Sequence, residues 1–163
     1  MAVPSRRLVI DTNIVKAAGR TLHPTSRRCR DFLDEVLKIS HRAVLTPELT
    51  AEWDTHQSLF ALRWRADMRS KAKIVDLDRV ENDEIRHQVR LTKAALKDLH
   101  LVEAAVATDR TVVSLDDRAS QDLCVEATRE IVWVNAVGEG GHAIYWLRTG
   151  ANPKDEWKLG YRS

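Results

Sequence analysis

Three aspartates lie where strand patterns end or a helix pattern begins, and together they could support metal-dependent chemistry. Asp11 follows the apolar run of residues 8–10, Asp116 follows residues 111–115, and Asp98 precedes an apolar helical segment. Short apolar runs bounded by polar residues are typical of buried strands. Because ligands in open α/β sheets bind at the carboxyl ends of the strands, we expect these side chains to meet at one edge of a sheet.

Carboxylates that meet within a few ångströms repel one another, so a shared site needs a cation that neutralises them. The candidate ligands are oxygen atoms without paired His or Cys residues, which suits Mg²⁺ or Mn²⁺ better than Zn²⁺. We therefore expect Asp11, Asp98 and Asp116 to bind Mg²⁺ or Mn²⁺. The alternative is that each acid only caps a turn or a helix, because Asp favours both positions.

Strand and helix patterns alternate along the chain. The predicted strands are residues 8–10, 42–46, 74–77, 111–115 and 131–134. The predicted helices are residues 24–37, about 48–70, 82–96, 99–107 and 118–123. A break at Lys97 and Asp98 would place Asp98 in the first turn of the fourth of these helices. The alternation predicts an α/β fold with a central, mostly parallel sheet covered by helices.

The composition changes after Ala136, which predicts a domain of residues 1–136 and an extension of residues 137–163. Glycines open the extension, and aromatic and basic residues follow: Gly138, Gly140, Gly141, Tyr145, Trp146, Arg148, Lys154, Trp157, Lys158, Tyr161 and Arg162. We expect these aromatic residues to pack on the domain or on a partner. Stacking on nucleic-acid bases is the alternative.

The overall composition is that of an ordinary globular chain of 163 residues, with 44% hydrophobic and 31% charged residues. No apolar run approaches the roughly 18 residues of a membrane span, so we expect no membrane association. A net charge of only +2 means that nucleic-acid binding would depend on local clusters such as the basic residues 63–73. Two distant cysteines, Cys29 and Cys124, and no recognisable signal peptide favour a reduced, cytoplasmic protein.

Several of these features, in this order, resemble PIN-domain ribonucleases over roughly residues 8–134. They are Asp11-Thr12-Asn13 after an apolar strand, an acid in the helix after the second strand, the phrase Asp98-Leu-His-Leu-Val-Glu-Ala-Ala, and Ser114-Leu-Asp116 at the end of a later strand. The resemblance implies a three-layer α/β/α fold. It also implies four acids that hold one or two divalent metals, which activate water for phosphodiester cleavage.

On this resemblance, Asp11, Asp98 and Asp116 match the first, third and fourth acids. Glu52 matches the second by its distance from the preceding strand, with Glu48 as its rival, because residues four apart share a helix face. The resemblance also implies that two polar side chains support the ligands. Asn13 would orient Asp11 or a metal-bound water, and the Ser114 hydroxyl would lie behind the ligands. We expect packing from His100 and turn roles from Asp109 and Asp117. Glu103, about one helical turn past Asp98, points either to the site or to solvent.

The implied function is a divalent-metal-dependent endoribonuclease that hydrolyses RNA. Many members of the family are toxins of toxin-antitoxin pairs, which leaves an antitoxin protein and a homodimer open as partners. One alternative is a noncatalytic PIN-like scaffold that binds RNA or protein. Another is phosphoryl transfer at Asp11 in a phosphatase-like or receiver-like domain, although no Lys follows a strand where a phosphate would need it.

Overall fold

A five-stranded parallel sheet runs through the computed structural model of this protein, which describes residues 4–19, 21–138 and 142–161. The strands are β1 (Arg7–Ile10), β2 (Arg42–Leu45), β3 (Ile74–Asp76), β4 (Thr111–Ser114) and β5 (Val132–Asn135), in the order β3-β2-β1-β4-β5. Every neighbouring pair is parallel. The predicted α/β fold with a central parallel sheet is confirmed, and it forms the middle of a three-layer α/β/α arrangement.

The helices connect these strands. They are α1 (Thr12–Ala17), α2 (Pro24–Lys38), α3 (Pro47–His56), α4 (Leu59–Ser70), α5 (Asp83–Gln88), α6 (Lys93–Val106) and α7 (His142–Arg148). Among the described residues, short 3-10 turns lie at Gln121–Leu123, Glu126–Thr128 and Asp155–Trp157. No helix in the described ranges combines the length and the apolar character that crossing a bilayer requires.

The order of the strands determines where polar side chains can meet. From β1 the chain builds outward through β2 and β3, and it then returns to place β4 on the other side of β1. The register pairs Ile10 with Val113, and the Asp11 amide donates to the Val113 carbonyl at 2.8 Å. The carboxyl ends of β1 and β4 therefore lie side by side at the point where strand order reverses, which is the usual ligand-binding crevice of such sheets.

Several of the predicted helix boundaries were wrong. The helix predicted at residues 82–96 is interrupted, because α5 ends at Gln88 and α6 begins at Lys93. Residues 48–70 form two helices, α3 and α4, because Gln57 is extended (φ −61°, ψ 143°) and the Ser58 hydroxyl caps α4 by accepting from the Ala61 amide at 3.0 Å. The predicted break at Lys97 and Asp98 does not exist, since α6 continues through both residues.

The helix predicted at residues 118–123 is also wrong, because only a 3-10 turn at Gln121–Leu123 forms there. The N-cap of α6 is Thr92, whose hydroxyl accepts from the Ala95 amide at 3.2 Å. Asp98 therefore lies in the interior of α6, and helix capping does not explain its presence.

The described part of the C-terminal extension joins the hydrophobic core. The buried residues that it contributes are Ala143, Trp146, Leu147, Ala151 and Leu159. The Trp146 ring packs edge-on against Trp157 at 5.8 Å, and Arg148 forms an ion pair with the largely buried Glu35 at 2.7 Å. Gly140, Gly141 and Arg162, which also belong to the predicted extension, lie outside the described residues.

A buried histidine joins the extension to the sheet. His41, at the start of β2, is fully buried, accepts from the Arg6 amide through Nδ1 at 3.1 Å and donates through Nε2 to the Leu147 carbonyl at 2.8 Å. Burial lowers the pKa of His41, and the charges of Lys73 and Arg6 lower it further, against the opposing effect of the Leu147 carbonyl. The neutral ring fits both bonds, whereas protonation would abolish the acceptor at Nδ1.

We expect the free energy of unfolding to decrease as the pH falls below about 6.5, the ordinary pKa of histidine in an unfolded chain. Because the pKa of His41 is lower in the folded state, that state binds fewer protons, and stability is retained above 6.5 and lost below it. Urea denaturation between pH 5 and pH 8 measures this decrease. His41→Gln, which keeps one donor and one acceptor, should show a weaker dependence, and parallel pH profiles of the two proteins would contradict the prediction.

Candidate active site

Asp11 lies directly after β1, in the crevice between β1 and β4, where its side chain is held by polar neighbours. It is only 8% exposed, and its Oδ2 accepts from the Ser114 hydroxyl at 2.9 Å. The same hydroxyl oxygen accepts from Asn13 Nδ2 at 3.2 Å and from the Asp116 amide at 3.1 Å. Since both of those partners are N–H donors, the single hydroxyl proton of Ser114 must point to Asp11.

Asn13 completes this network. Its Oδ1 accepts from the Leu115 amide at 3.2 Å, so its amide group joins the start of α1 to the end of β4. The side chains of Asn13 and Ser114 therefore fix the orientation of the Asp11 carboxylate. Their placement agrees with the supporting roles that the sequence suggested for both residues.

The three aspartates interact electrostatically. Burial raises the pKa of Asp11, and the negative charges of Asp98 and Asp116 raise it further, against the hydrogen bond from Ser114. Burial likewise raises the pKa of Asp98; Asp116 adds to the increase, and the Ser120 amide and the charge of Lys97 oppose it. Each pair among Asp11, Asp98 and Asp116 is thus close enough to interact, as expected for carboxylates that share one site.

One oxygen of Asp98 has no partner among the described residues. Asp98 is 7% exposed, its Oδ2 accepts from the Ser120 amide at 3.2 Å, and its Oδ1 is buried without a hydrogen bond. A buried carboxylate oxygen in this state is costly, so such atoms usually have a partner that is a donor, a proton or a cation. Asp98 Oδ1 and the other carboxylate oxygens are hard oxygen ligands, which are the type that Mg²⁺ and Mn²⁺ prefer.

Glu52, on α3, reaches the same region from the other side. Its Oε1 accepts from the Thr12 hydroxyl at 2.9 Å, and its Oε2 lies 3.0 Å from His100 Nε2. Thr12 follows Asp11 in the chain, and the helix that carries Glu52 is attached to the end of β1 by Trp53, whose Nε1 donates to the Ile10 carbonyl at 3.2 Å. The Glu52 side chain remains 43% exposed, so it lies at the rim of the site.

Glu48, the rival for the second acid, lies elsewhere. It is exposed and lines a small cavity of about 150 Å³ with Asp78, Arg79 and Glu81. Its charge raises the pKa of Arg86, which lies on α5. Because Glu52 contacts Thr12, the neighbour of Asp11, the geometry favours Glu52 over Glu48 as the second acid.

The other acids considered in the sequence are bound by protein groups. Glu103 is 2% exposed and accepts two bonds of 3.0 Å from the Arg86 guanidinium. Asp109 forms an ion pair with Arg7 at 3.0 Å. Asp117 accepts from Asn135 Nδ2 at 2.8 Å. These contacts give Glu103, Asp109 and Asp117 structural roles.

His100 is the site residue whose contacts the sequence did not reveal. It was expected to pack, and its ring is indeed buried, but Nε2 contacts Glu52 and Nδ1 has no hydrogen bond within the described residues. Residues two apart on a helix point in directions about 200° apart. Asp98 can therefore face the loop that contains Ser120 while His100 faces α3. For this reason, their spacing along the helix did not predict that Asp98 and His100 belong to the same site.

The side chains do not form a closed metal cage. Within residues 4–19, 21–138 and 142–161, no three His, Cys, Asp or Glu side chains are arranged to hold one ion. Mg²⁺ in proteins typically uses one or two carboxylates and retains several waters. A hydrated ion between the buried carboxylates is therefore compatible with this geometry, whereas four direct ligands are not in place.

Most of the basic cluster at the end of α4 already serves the fold. Arg65 pairs with Asp54 at 2.6 Å and Arg69 with Asp76 at 2.9 Å. Lys73 donates to carbonyl oxygens at the end of α2, including that of Leu37 at 2.8 Å. The exposed members left for a polyanion are Arg63 and Lys71.

We expect Asp98→Asn to stabilise the metal-free protein at pH 7 by about 1–3 kcal/mol, the usual cost of a buried polar group without a partner. The raised pKa of Asp98 means that the folded state binds more protons than the unfolded state, so wild-type stability decreases as the pH rises above about 4. The advantage of the variant should therefore shrink in acid. Thermal and urea unfolding at pH 4 and pH 7 measure it.

Asp109→Asn is the matched control. The Asp109 carboxylate accepts a hydrogen bond from Arg7, so this substitution should lower the stability of the protein. Added Mn²⁺ should reduce the advantage of Asp98→Asn by stabilising the wild type. An Asp98→Asn protein that is less stable than wild type at both pH values would contradict the assignment.

Comparison with known proteins yields no family assignment. No family model matches the chain, and no curated protein matches it. Any functional conclusion must therefore rest on the chain's own residues and on their contacts.

Proposed function

We propose that this protein is a divalent-metal-dependent endoribonuclease of the PIN-domain type, which hydrolyses phosphodiester bonds in RNA. The observation that carries the proposal is the interaction of Asp11, Asp98 and Asp116 at the reversal of strand order, with one buried Asp98 oxygen left without a partner. Buried acids whose pKa is raised by burial and by a neighbouring charge cluster at functional sites.

Asp11, Asp98 and Asp116 would hold the cation, with Glu52 at the rim. A bound Mg²⁺ or Mn²⁺ supplies positive charge that makes water a stronger nucleophile and stabilises the departing oxyanion. The protein's own contribution is orientation. Ser114 and Asn13 fix Asp11, the Ser120 amide fixes Asp98, and Thr12 and His100 each bind one oxygen of Glu52.

Glu52 is the acid best suited to receive a proton from the attacking water. The Glu52 side chain is 43% exposed, and each of its two carboxylate oxygens has a hydrogen-bond partner. It can therefore contact solvent without losing its orientation. Asp11 and Asp98 are buried, which suits them to binding charge rather than to exchanging protons with solvent. This division of roles assigns general-base chemistry to Glu52.

The substrate would approach the site through its phosphate backbone. Asp116 lies on an exposed loop, so this acid is reachable from solvent. Arg63 and Lys71 are the members of the basic cluster that can contact phosphates, a sequence-independent interaction. An antitoxin, a second copy of the chain as partner and a cytoplasmic location remain predictions of the resemblance.

A noncatalytic PIN-like scaffold is the second candidate function. It is favoured by one observation, the lack of any three acidic, histidine or cysteine side chains arranged to hold an ion within the described chain. A scaffold would bind RNA or protein without cleaving it. Activity measurements with Mg²⁺ and Mn²⁺ separate it from the nuclease.

We expect wild-type protein to cleave single-stranded RNA with Mg²⁺ or Mn²⁺ and to lose this activity in EDTA. Asp11→Asn should reduce cleavage by at least about a hundredfold, because it removes a ligand charge while the hydrogen bond from Ser114 can persist. Gel-based cleavage of labelled RNA and circular dichroism report activity and folding. Asp117→Asn, a neighbouring acid held by Asn135, is the control and should remain active. Cleavage that is equal in EDTA, in Asp11→Asn and in wild type would refute the proposal.

We also expect His100→Ala to lower kcat by roughly tenfold to a hundredfold, the usual effect of removing a residue that orients a ligand, with little change in KM. His100→Gln keeps a donor for Glu52 and should retain more activity. Steady-state kinetics of the two variants, with Glu52→Gln measured beside them, tests this role. Equal kcat values for His100→Ala and wild type would assign His100 to packing alone.

A further inference from the structure

The C-terminal residues 155–161, called here the strap, lie along the outer edge of the sheet beside β5. Lys158 forms an antiparallel bridge with Val132. The Leu159 amide donates to the Ile131 carbonyl, and the Gly160 amide donates to the Arg129 carbonyl, both at 2.9 Å. The strap therefore pairs its backbone with the chain at the start of an edge strand, which would otherwise be left open.

Side chains hold the strap firmly. Leu159 is buried in the core, and Lys158 Nζ forms an ion pair with Glu130 at 2.8 Å. At Gly160 the backbone approaches Arg129 so closely that an added Cβ would lie 2.7 Å from the Arg129 Cβ. The strap is thus a fitted part of the fold, and a larger residue at Gly160 would displace it.

Arg118 connects the strap to the candidate site. Its Nη2 atom donates to the Lys158 and Leu159 carbonyls at 3.0 Å each and lies 3.4 Å from the Tyr161 carbonyl. Hydrogen bonds from a charged guanidinium are stronger than those between neutral groups. Arg118 itself belongs to residues 115–120, called here the acid loop.

The acid loop positions two of the aspartates. It carries Asp116, whose carbonyl accepts from Trp133 Nε1 at 2.9 Å, and it carries Ser120, whose amide donates to Asp98 Oδ2 at 3.2 Å. Arg118 lies between these two residues in the chain. The loop has no helix or strand hydrogen bonding of its own over residues 115–120, so its shape depends on contacts such as those of Arg118.

We propose that Arg118 is a positioning residue, which uses the strap as an anchor to hold the acid loop so that Asp98 and Asp116 serve one site. The consequence for catalysis rests on the proposed function, whereas the anchoring of the loop does not. The strap then acts as a support for the acids, and the extension contributes to the site without contacting the substrate.

The test combines hydrogen exchange, Mn²⁺ titration and kinetics on the full-length chain. Arg118→Gln should accelerate exchange of the Asp116 and Ser120 amides by about tenfold or more, with the strands unchanged. It should weaken Mn²⁺ binding or lower kcat by roughly tenfold to a hundredfold, with KM little changed. Arg118→Lys keeps a charged donor, so it should show smaller changes than Arg118→Gln both in amide exchange and in Mn²⁺ binding or kcat.

Two further variants sharpen the comparison. Gly160→Val displaces the strap from the other side and should accelerate exchange at the same two amides. Arg27→Gln removes an exposed arginine on α2, whose side chain makes no hydrogen bond in the described part of the chain, and should change neither quantity.

Unchanged exchange at Asp116 and Ser120 in Arg118→Gln would overturn the proposal, whatever the kinetics. A higher KM with unchanged exchange would also overturn it, because it would make Arg118 an RNA contact. If the wild type neither binds Mn²⁺ nor cleaves RNA, the proposed function fails, and the exchange data still decide whether Arg118 anchors the loop.

Discussion

The burial of Asp11 and Asp98 beside Asp116 is the unfavourable interaction around which this protein is built. Taking carboxylates out of water costs free energy, and placing them near one another adds repulsion. Ser114 and the Ser120 amide offset part of that cost, but one Asp98 oxygen remains without a partner. An arrangement of this kind lowers the stability of the chain, and under the proposed function the same interaction would raise its affinity for a cation.

The sheet determines that these acids meet. With β1 between β2 and β4, the ends of β1 and β4 are neighbours, and α6 contacts both strands. Ile10 pairs with Val113 in the buried centre of the sheet, and this register places the next residues, Asp11 and Ser114, side by side at the carboxyl ends of the two strands. Leu8, Val9 and Ile10 are all fully buried, so a shift of one residue would disrupt packing on both faces of the sheet, and packing of the core protects the geometry of the site.

The parts of this structure that the sequence could predict are those encoded by local patterns. Short apolar runs ending in Asp11 and Asp116 revealed two strands and two acids. The interior position of Asp98 was missed because the charged residues Lys97 and Asp98 resemble the end of one helix and the start of another. In the structure, the cap at Thr92 and packing of the apolar face keep α6 continuous through both residues.

The contacts that complete the site join residues far apart in sequence. Glu52 reaches His100 across 48 positions, and Ser120 reaches Asp98 from an irregular loop. For the extension, the composition predicted packing, with base stacking as the alternative, but it could not name the contacts: the Trp146 and Trp157 rings pack on each other, and Lys154 covers Trp157. Aromatic faces engaged in this way cannot receive bases. Under the proposed function, a few exposed cations would contact RNA phosphates, and the affinity would then fall only modestly with added salt, because the salt dependence grows with the number of phosphates contacted.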